Sequence, residues 1–177
     1  MTLAWASVRE CHPTKVLDRQ RYAAHVTALP AHEDEIVSLI RTEARDALAA
    51  GKARLEITPA GGEWRPTTCG LRPADEAACP FRAQIDSAKQ VTLYLGRHGT
   101  ICELYSENRS ELLDQIGEYL RAVLAGRYRE SVRLKDGELA KARAVLETDG
   151  VEVRIFSSSV RTMGRREPWQ RLSYEAY

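Results

Sequence analysis

The sequence predicts an α+β fold, an antiparallel β-sheet built as meanders with two main amphipathic helices packed on one face. Three observations carry this expectation. Apolar residues recur at helical spacing in only two clear stretches, several other segments alternate apolar and polar residues in twos, and Gly-containing turns join many of those segments. A parallel sheet would need a helical crossover between successive strands, and only the second helix could serve as one.

Residues 1–30 are weakly patterned, with Val16, Tyr22 and Val26 able to share one face of a short helix and Pro13 interrupting. The stretch 31–50 is an amphipathic helix. Ile36, Ile40, Ala44 and Leu48 recur at four-residue steps, Val37 and Leu39 widen the stripe, and Gly51 is placed to end it. His32, Glu33, Asp34 and Glu35 load the first turn with acid, which complements the helix dipole. Arg54 to Thr58 then alternates, and Pro59-Ala60-Gly61-Gly62 turns toward Glu63-Trp64-Arg65 in a loose hairpin. Cys69 to Pro80 reads as a loop. Three alternating segments follow, Phe81–Asp86, Val91–Leu95 and Thr100–Tyr105, the last two joined through Gly96-Arg97-His98-Gly99. The second helix has Asn108 as N-cap with Glu111 three residues on, as in a capping box, and Gly126 as its stop. Between them Leu112, Leu113, Ile116, Tyr119, Leu120, Val123 and Leu124 hold helical spacing. Asp136-Gly137 and Asp149-Gly150 are type I′ hairpin dipeptides, and they divide Tyr128–Leu134, Leu139–Glu147 and Val151–Phe156 into three strands. Ala140, Ala142, Ala144 and Leu146 alternate against Lys141, Arg143 and Glu147, so one face is buried and the other polar. The expected organisation is an N-terminal segment 1–30, one α+β domain 31–157 and a tail 158–177. The tail packs through Met163, Trp169 and Leu172 or docks onto something else.

The 177 residues carry 26 Lys+Arg against 25 Asp+Glu, a formal charge of +1, and 44% are hydrophobic. That composition is globular, and it supplies no whole-molecule field to collect nucleic acid or anionic membrane at long range. No stretch approaches the roughly 18 consecutive apolar residues of a membrane span. The first residues lack the basic start and apolar core of a signal peptide, so a cytoplasmic protein is expected. Cys11, Cys69, Cys79 and Cys102 form no Cys-x-x-Cys pair and are expected as thiols; Cys69 and Cys79 would bridge only in an exported chain.

No catalytic, metal or cofactor motif stands out. Gly96 to Gly99 is too short for a phosphate loop and sits between strands. Cys102, His98 and Glu103 form the most compact nucleophile-like group, yet strand alternation sends Cys102 and Glu103 to opposite faces and puts Cys102 beside Leu104, as in a core. His12, His25 and His32 are scattered. Two charged surfaces remain as candidate binding sites. One is the acidic helix start, Glu33, Asp34 and Glu35; the other is basic, with Arg133, Lys141, Arg143 and Arg154 across neighbouring strands and Arg165, Arg166 and Trp169 from the tail. Glu130, Glu147, Glu152, Glu167 and Glu175 are interleaved there as expected cross-strand partners.

Leu93 to Tyr105, followed by a helix ending Arg121 to Glu130, resembles small bacterial α+β proteins found as immunity partners in toxin systems. The likeness covers about a quarter of the chain. It implies a non-enzymatic binder that occludes a partner protein, and it assigns no contact residue. The expected function is therefore protein–protein binding, in an immunity or adaptor role, without cofactor, with another protein or a second copy as partner. A small-ligand or enzymatic site assembled from Cys102, His98, Tyr94 and Tyr119 is the first alternative. Nucleic-acid binding through the basic sheet and tail is the second, disfavoured because phosphate neutralisation needs a cation excess.

Overall fold

A computed structural model describes residues 29–61, 65–135, 138–148, 151–157 and 168–177. Helix α1 (Ala31–Glu43) and the short α2 (Arg45–Ala49) lead into five strands: β1 (Ala53–Thr58), β2 (Thr67–Pro73), β3 (Phe81–Ile85), β4 (Gln90–Leu95) and β5 (Thr100–Tyr105). Helix α3 (Arg109–Leu124) follows, and then β6 (Tyr128–Lys135), β7 (Glu138–Thr148), β8 (Val151–Ser157) and β9 (Gln170–Ser173). The class is α+β, with every strand ladder antiparallel. The strands form two sheets, a meander in the order β1-β2-β3-β4-β5 and a second sheet in the order β8-β7-β6-β9.

The first helical stretch breaks at Ala44, whose φ of −92° and ψ of 8° leave helical geometry for one residue before α2 begins. Gly51 ends it at φ 69°, in the left-handed region that glycine enters without a Cβ penalty. At α3, Asn108 accepts the Ser110 amide at 3.0 Å as the sequence predicts. Glu111 does not reach back directly. It accepts from the Ser106 hydroxyl at 2.7 Å, and that hydroxyl takes the Asn108 amide at 3.0 Å, so a serine relays the capping box.

One apolar core serves both sheets. Ile36, Val37 and Ile40 of α1, Leu112, Ile116, Leu120 and Val123 of α3, Leu71, Phe81, Leu93 and Leu95 of the first sheet, and Tyr128 and Leu146 of the second all lie in it, each almost fully buried. Two ion pairs fix the helices side by side and in the same direction. Arg109 at the start of α3 meets Glu35 at 2.9 Å, and Arg121 near its end meets Glu43 at 2.7 Å.

Several expectations change. The Cys69 to Pro80 loop begins as strand: Thr67, Cys69 and Leu71 are buried on one side of β2, and β1 pairs with β2, while residues 63 and 64 of the expected hairpin lie outside the described residues. Gly70 is required there, since a Cβ on it would lie 2.9 Å from Arg82 Cα and closer still to the Phe81 carbonyl. The tail is partly strand, because Gln170–Ser173 pairs with Arg129–Val132 of β6. Glu130, expected among the surface acids, is 2% exposed. It shares the inward parity of Tyr128 and Val132 on β6. Both Asp-Gly turns lie outside the described residues, while the strands beside them pair as expected.

Candidate functional site

The acidic candidate disperses. Glu33 is 7% exposed and accepts the Thr67 hydroxyl at 2.7 Å, and that hydroxyl in turn accepts the Ala60 amide at 2.9 Å. Position 33 lies three residues before Ile36 on the buried stripe of α1, so its carboxyl ties the helix start to β2. Glu35 is taken by Arg109, and of the three only Asp34 projects as an exposed carboxylate without a described partner. The first turn of α1 is a structural joint.

The basic candidate assembles. Registers of Arg133 with Lys141, Ser131 with Arg143, Val145 with Arg154, and Ser131 with Arg171 place these residues on the outer face of the second sheet. Arg129 joins them, paired there with Glu147. The strand β9 delivers Trp169 onto this face. The Arg133 and Arg143 guanidinium carbons lie 4.8 Å and 4.7 Å from its ring centroid, within cation–π range. Arg133 Nε is shielded from solvent and has no hydrogen-bond partner among the described residues. A shallow depression of about 440 Å³ opens alongside, lined by Ser131, Arg143, Arg154 and Arg171. Arg165 and Arg166 lie outside the described residues. The strand β9 carried too little periodicity to place Trp169 from sequence; pairing with β6 does so.

The alternative grouping of Cys102, His98, Tyr94 and Tyr119 does not converge. Cys102 faces inward opposite Leu93, whereas Tyr94 is on the outer face, under the Arg82 guanidinium at 4.3 Å. Burial pushes the Cys102 thiol up. No group of three His, Cys, Asp or Glu side chains suited to a metal occurs among the described residues. None of the described helices is long and apolar enough to cross a membrane.

A buried polar cluster links the two sheets. The Glu130 carboxyl accepts from the Tyr174 hydroxyl and, at 3.1 Å, from Thr100, with the Tyr128 hydroxyl at 3.4 Å. Tyr174 receives the Arg97 amide at 2.9 Å. Gly96, at φ 74°, leaves the space the carboxyl fills, because a Cβ there would sit 2.7 Å from Glu130 Oε2. Sequence parity alone could have found Glu130; nothing local announces the partners.

Cys69, Cys79 and Cys102 are free thiols, and burial raises Cys69 to about 12 and Cys79 further. Cys69 and Cys79 are expected to resist Ellman's reagent in the folded protein near neutral pH and to react fully in denaturant. The unfolded thiol releases its proton near pH ~8.5 while the folded one keeps it, so stability is complete below that value and declines as pH rises toward about 12. Each such thiol contributes a slope of about 1.4 kcal/mol per pH unit in that window, readable as a falling urea midpoint. A midpoint flat through the window would contradict the burial.

No protein family, curated protein or solved structure matches the chain.

Proposed function

We propose that the protein is a non-enzymatic binding module whose second sheet docks an acidic surface of a partner protein, in an immunity or adaptor role in the cytoplasm. The observation that carries the reading is Trp169 flanked by the Arg133 and Arg143 guanidiniums at the middle of a face dominated by cations. Trp and Arg are the residues that concentrate binding energy at protein interfaces, and a sheet holds them at fixed spacing. Both guanidiniums already occupy the Trp169 π-system. A nucleobase would have to displace one of them to stack, which favours a carboxylate-bearing partner over single-stranded nucleic acid.

Fluorescence anisotropy with labelled poly-glutamate and labelled oligouridylate separates the two. Poly-glutamate is expected to bind the wild type, and Arg133→Glu with Arg143→Glu to weaken it by on the order of a hundredfold, about 2.7 kcal/mol, while Asp34→Asn changes little. Tighter binding of the RNA at physiological salt, or equal affinity for wild type and the charge-reversed variant, would overturn the reading. Cross-linking in the native host with a photoreactive group next to Trp169 then identifies the partner, a second copy of this chain included.

A further inference from the structure

The outer face of the first sheet holds a separate feature. One register row runs Glu56, Gly70, Arg82, Tyr94, Ile101 across all five strands. Gly70 is its only position without a side chain, so the sheet is dented there, and the dent cannot be filled by substitution without displacing β3. The Arg82 guanidinium lies 4.3 Å over the Tyr94 ring, on the side of β4, which draws it off the dent. What remains is a depression of about 440 Å³ continuous with a second hollow through Glu56, Arg72, Pro80 and Arg97.

Its charge is lopsided. Four arginines, Arg54, Arg72, Arg82 and Arg97, surround the two hollows against two carboxylates, Glu56 and Glu76. Arg72 meets Glu56 at 3.5 Å and Arg97 meets Glu76 at 3.9 Å, while Arg54 and Arg82 have no carboxylate partner among the described residues. The surplus is two positive charges. Thr58 and Thr68 add hydroxyls at one end, and the positive-φ glycines Gly96 and Gly99 keep the other end low. Guanidiniums present paired N–H donors that match phosphate oxygens, and stacking on Tyr94 holds the Arg82 plane while leaving its edge donors outward. The hollow falls in the size range of small-molecule sites.

We propose that this dent is a binding site for a small phosphate monoester, with the dianionic phosphoryl group between Arg72 and Arg82 over Gly70 and the organic body toward Tyr94. This site is independent of the basic face of the second sheet. The test is a ¹H–¹⁵N NMR titration of the full chain with phenyl phosphate, and with inorganic phosphate as the headgroup alone. The expected result is saturable shifts centred on the Gly70, Arg82, Gly96 and Gly99 amides, with phenyl phosphate binding more tightly than inorganic phosphate. Arg82→Gln is expected to weaken phenyl phosphate at least about tenfold, and Arg133→Glu with Arg143→Glu to leave it within about twofold. Shifts that do not saturate, shifts centred on Trp169 and Arg143, or an Arg82→Gln affinity equal to wild type would overturn the proposal. All three substitutions change exposed or half-buried side chains, and thermal melts of both variants confirm that folding is intact before affinities are compared.

Discussion

Replacing Glu130 with Ala is expected to lower stability by about 3–5 kcal/mol, measured as a drop in urea midpoint at unchanged slope. The size follows from what the carboxyl leaves behind. Tyr174 and Thr100 donate to it, and with Tyr128 beside it three hydroxyls surround a group that is 2% exposed. Deleting the acceptor orphans two buried donors at ~1–3 kcal/mol each and opens a cavity between the sheets. Gln keeps the volume and one acceptor oxygen but turns an NH2 toward hydroxyls, so its expected loss is smaller, about 1–2 kcal/mol. The informative variant changes both sides. Glu130→Leu together with Tyr174→Phe removes the acceptor and its Tyr174 donor at once while the Thr100 hydroxyl and the Arg97 amide lose their acceptors, and is expected to recover part of the loss. If the double variant is as unstable as Glu130→Ala, the cluster stabilises through shape and not through its hydrogen bonds.

Much of the architecture was legible because it is written in local periods. Both main helices, the strands between Phe81 and Ser157 and the inward parity of Ala142, Ala144 and Leu146 follow from spacing alone, and the structure has them. What escaped depends on pairings between distant segments. Strand β2 carries Gly70 and Pro73, which read as turn residues. Gly70 is there because β3 comes too close for a side chain, a reason that exists only once the strands are paired. Strand β9 has four residues with a single half-buried apolar one, Leu172, too few to show alternation. The two buried acids are a different case. Glu33 and Glu130 each sit at an inward position of an otherwise apolar pattern, and residue type outweighed parity; the donors that allow their burial, Thr67 and Tyr174, are 34 and 44 residues away. The basic face was half legible: the strands aligned Arg133, Lys141, Arg143 and Arg154 by alternation, while the Trp169 between two of them required β9.

Removing residues 170–177 is therefore expected to cost most of the folding free energy, at least about 5 kcal/mol against a typical total of roughly 5–15. The segment is anchored along its length. Strand β9 completes the edge of β6, Tyr174 packs at 5.6 Å on Tyr128 and donates to Glu130, the Glu175 amide donates to Ala77 at 2.9 Å, and Tyr177 donates its amide to Leu124 at 3.0 Å and its hydroxyl to Cys79. Those partners belong to β6, to the loop before β3 and to the end of α3, so the segment joins three parts of the fold. A gentler variant probes the same joint without deleting it. Gly126 has φ 69°, and a Cβ there would lie 2.8 Å from the Ala176 amide nitrogen and 3.0 Å from the Glu175 carbonyl carbon. Gly126→Ala in the full chain thus combines left-handed strain of about 1 kcal/mol with displacement of the segment. The expected signature is loss of hydrogen-exchange protection at the β6 amides that face β9, together with quenching or shift of Trp169 emission in a Trp5→Phe, Trp64→Phe background. Tyr174→Ala should reproduce the stability loss, at about 3–5 kcal/mol, by emptying the ring's place against Tyr128. If deletion leaves a cooperatively folding protein with an unchanged urea midpoint, the segment is an ornament on a core complete without it, and the position of Trp169 on the basic face loses its structural basis.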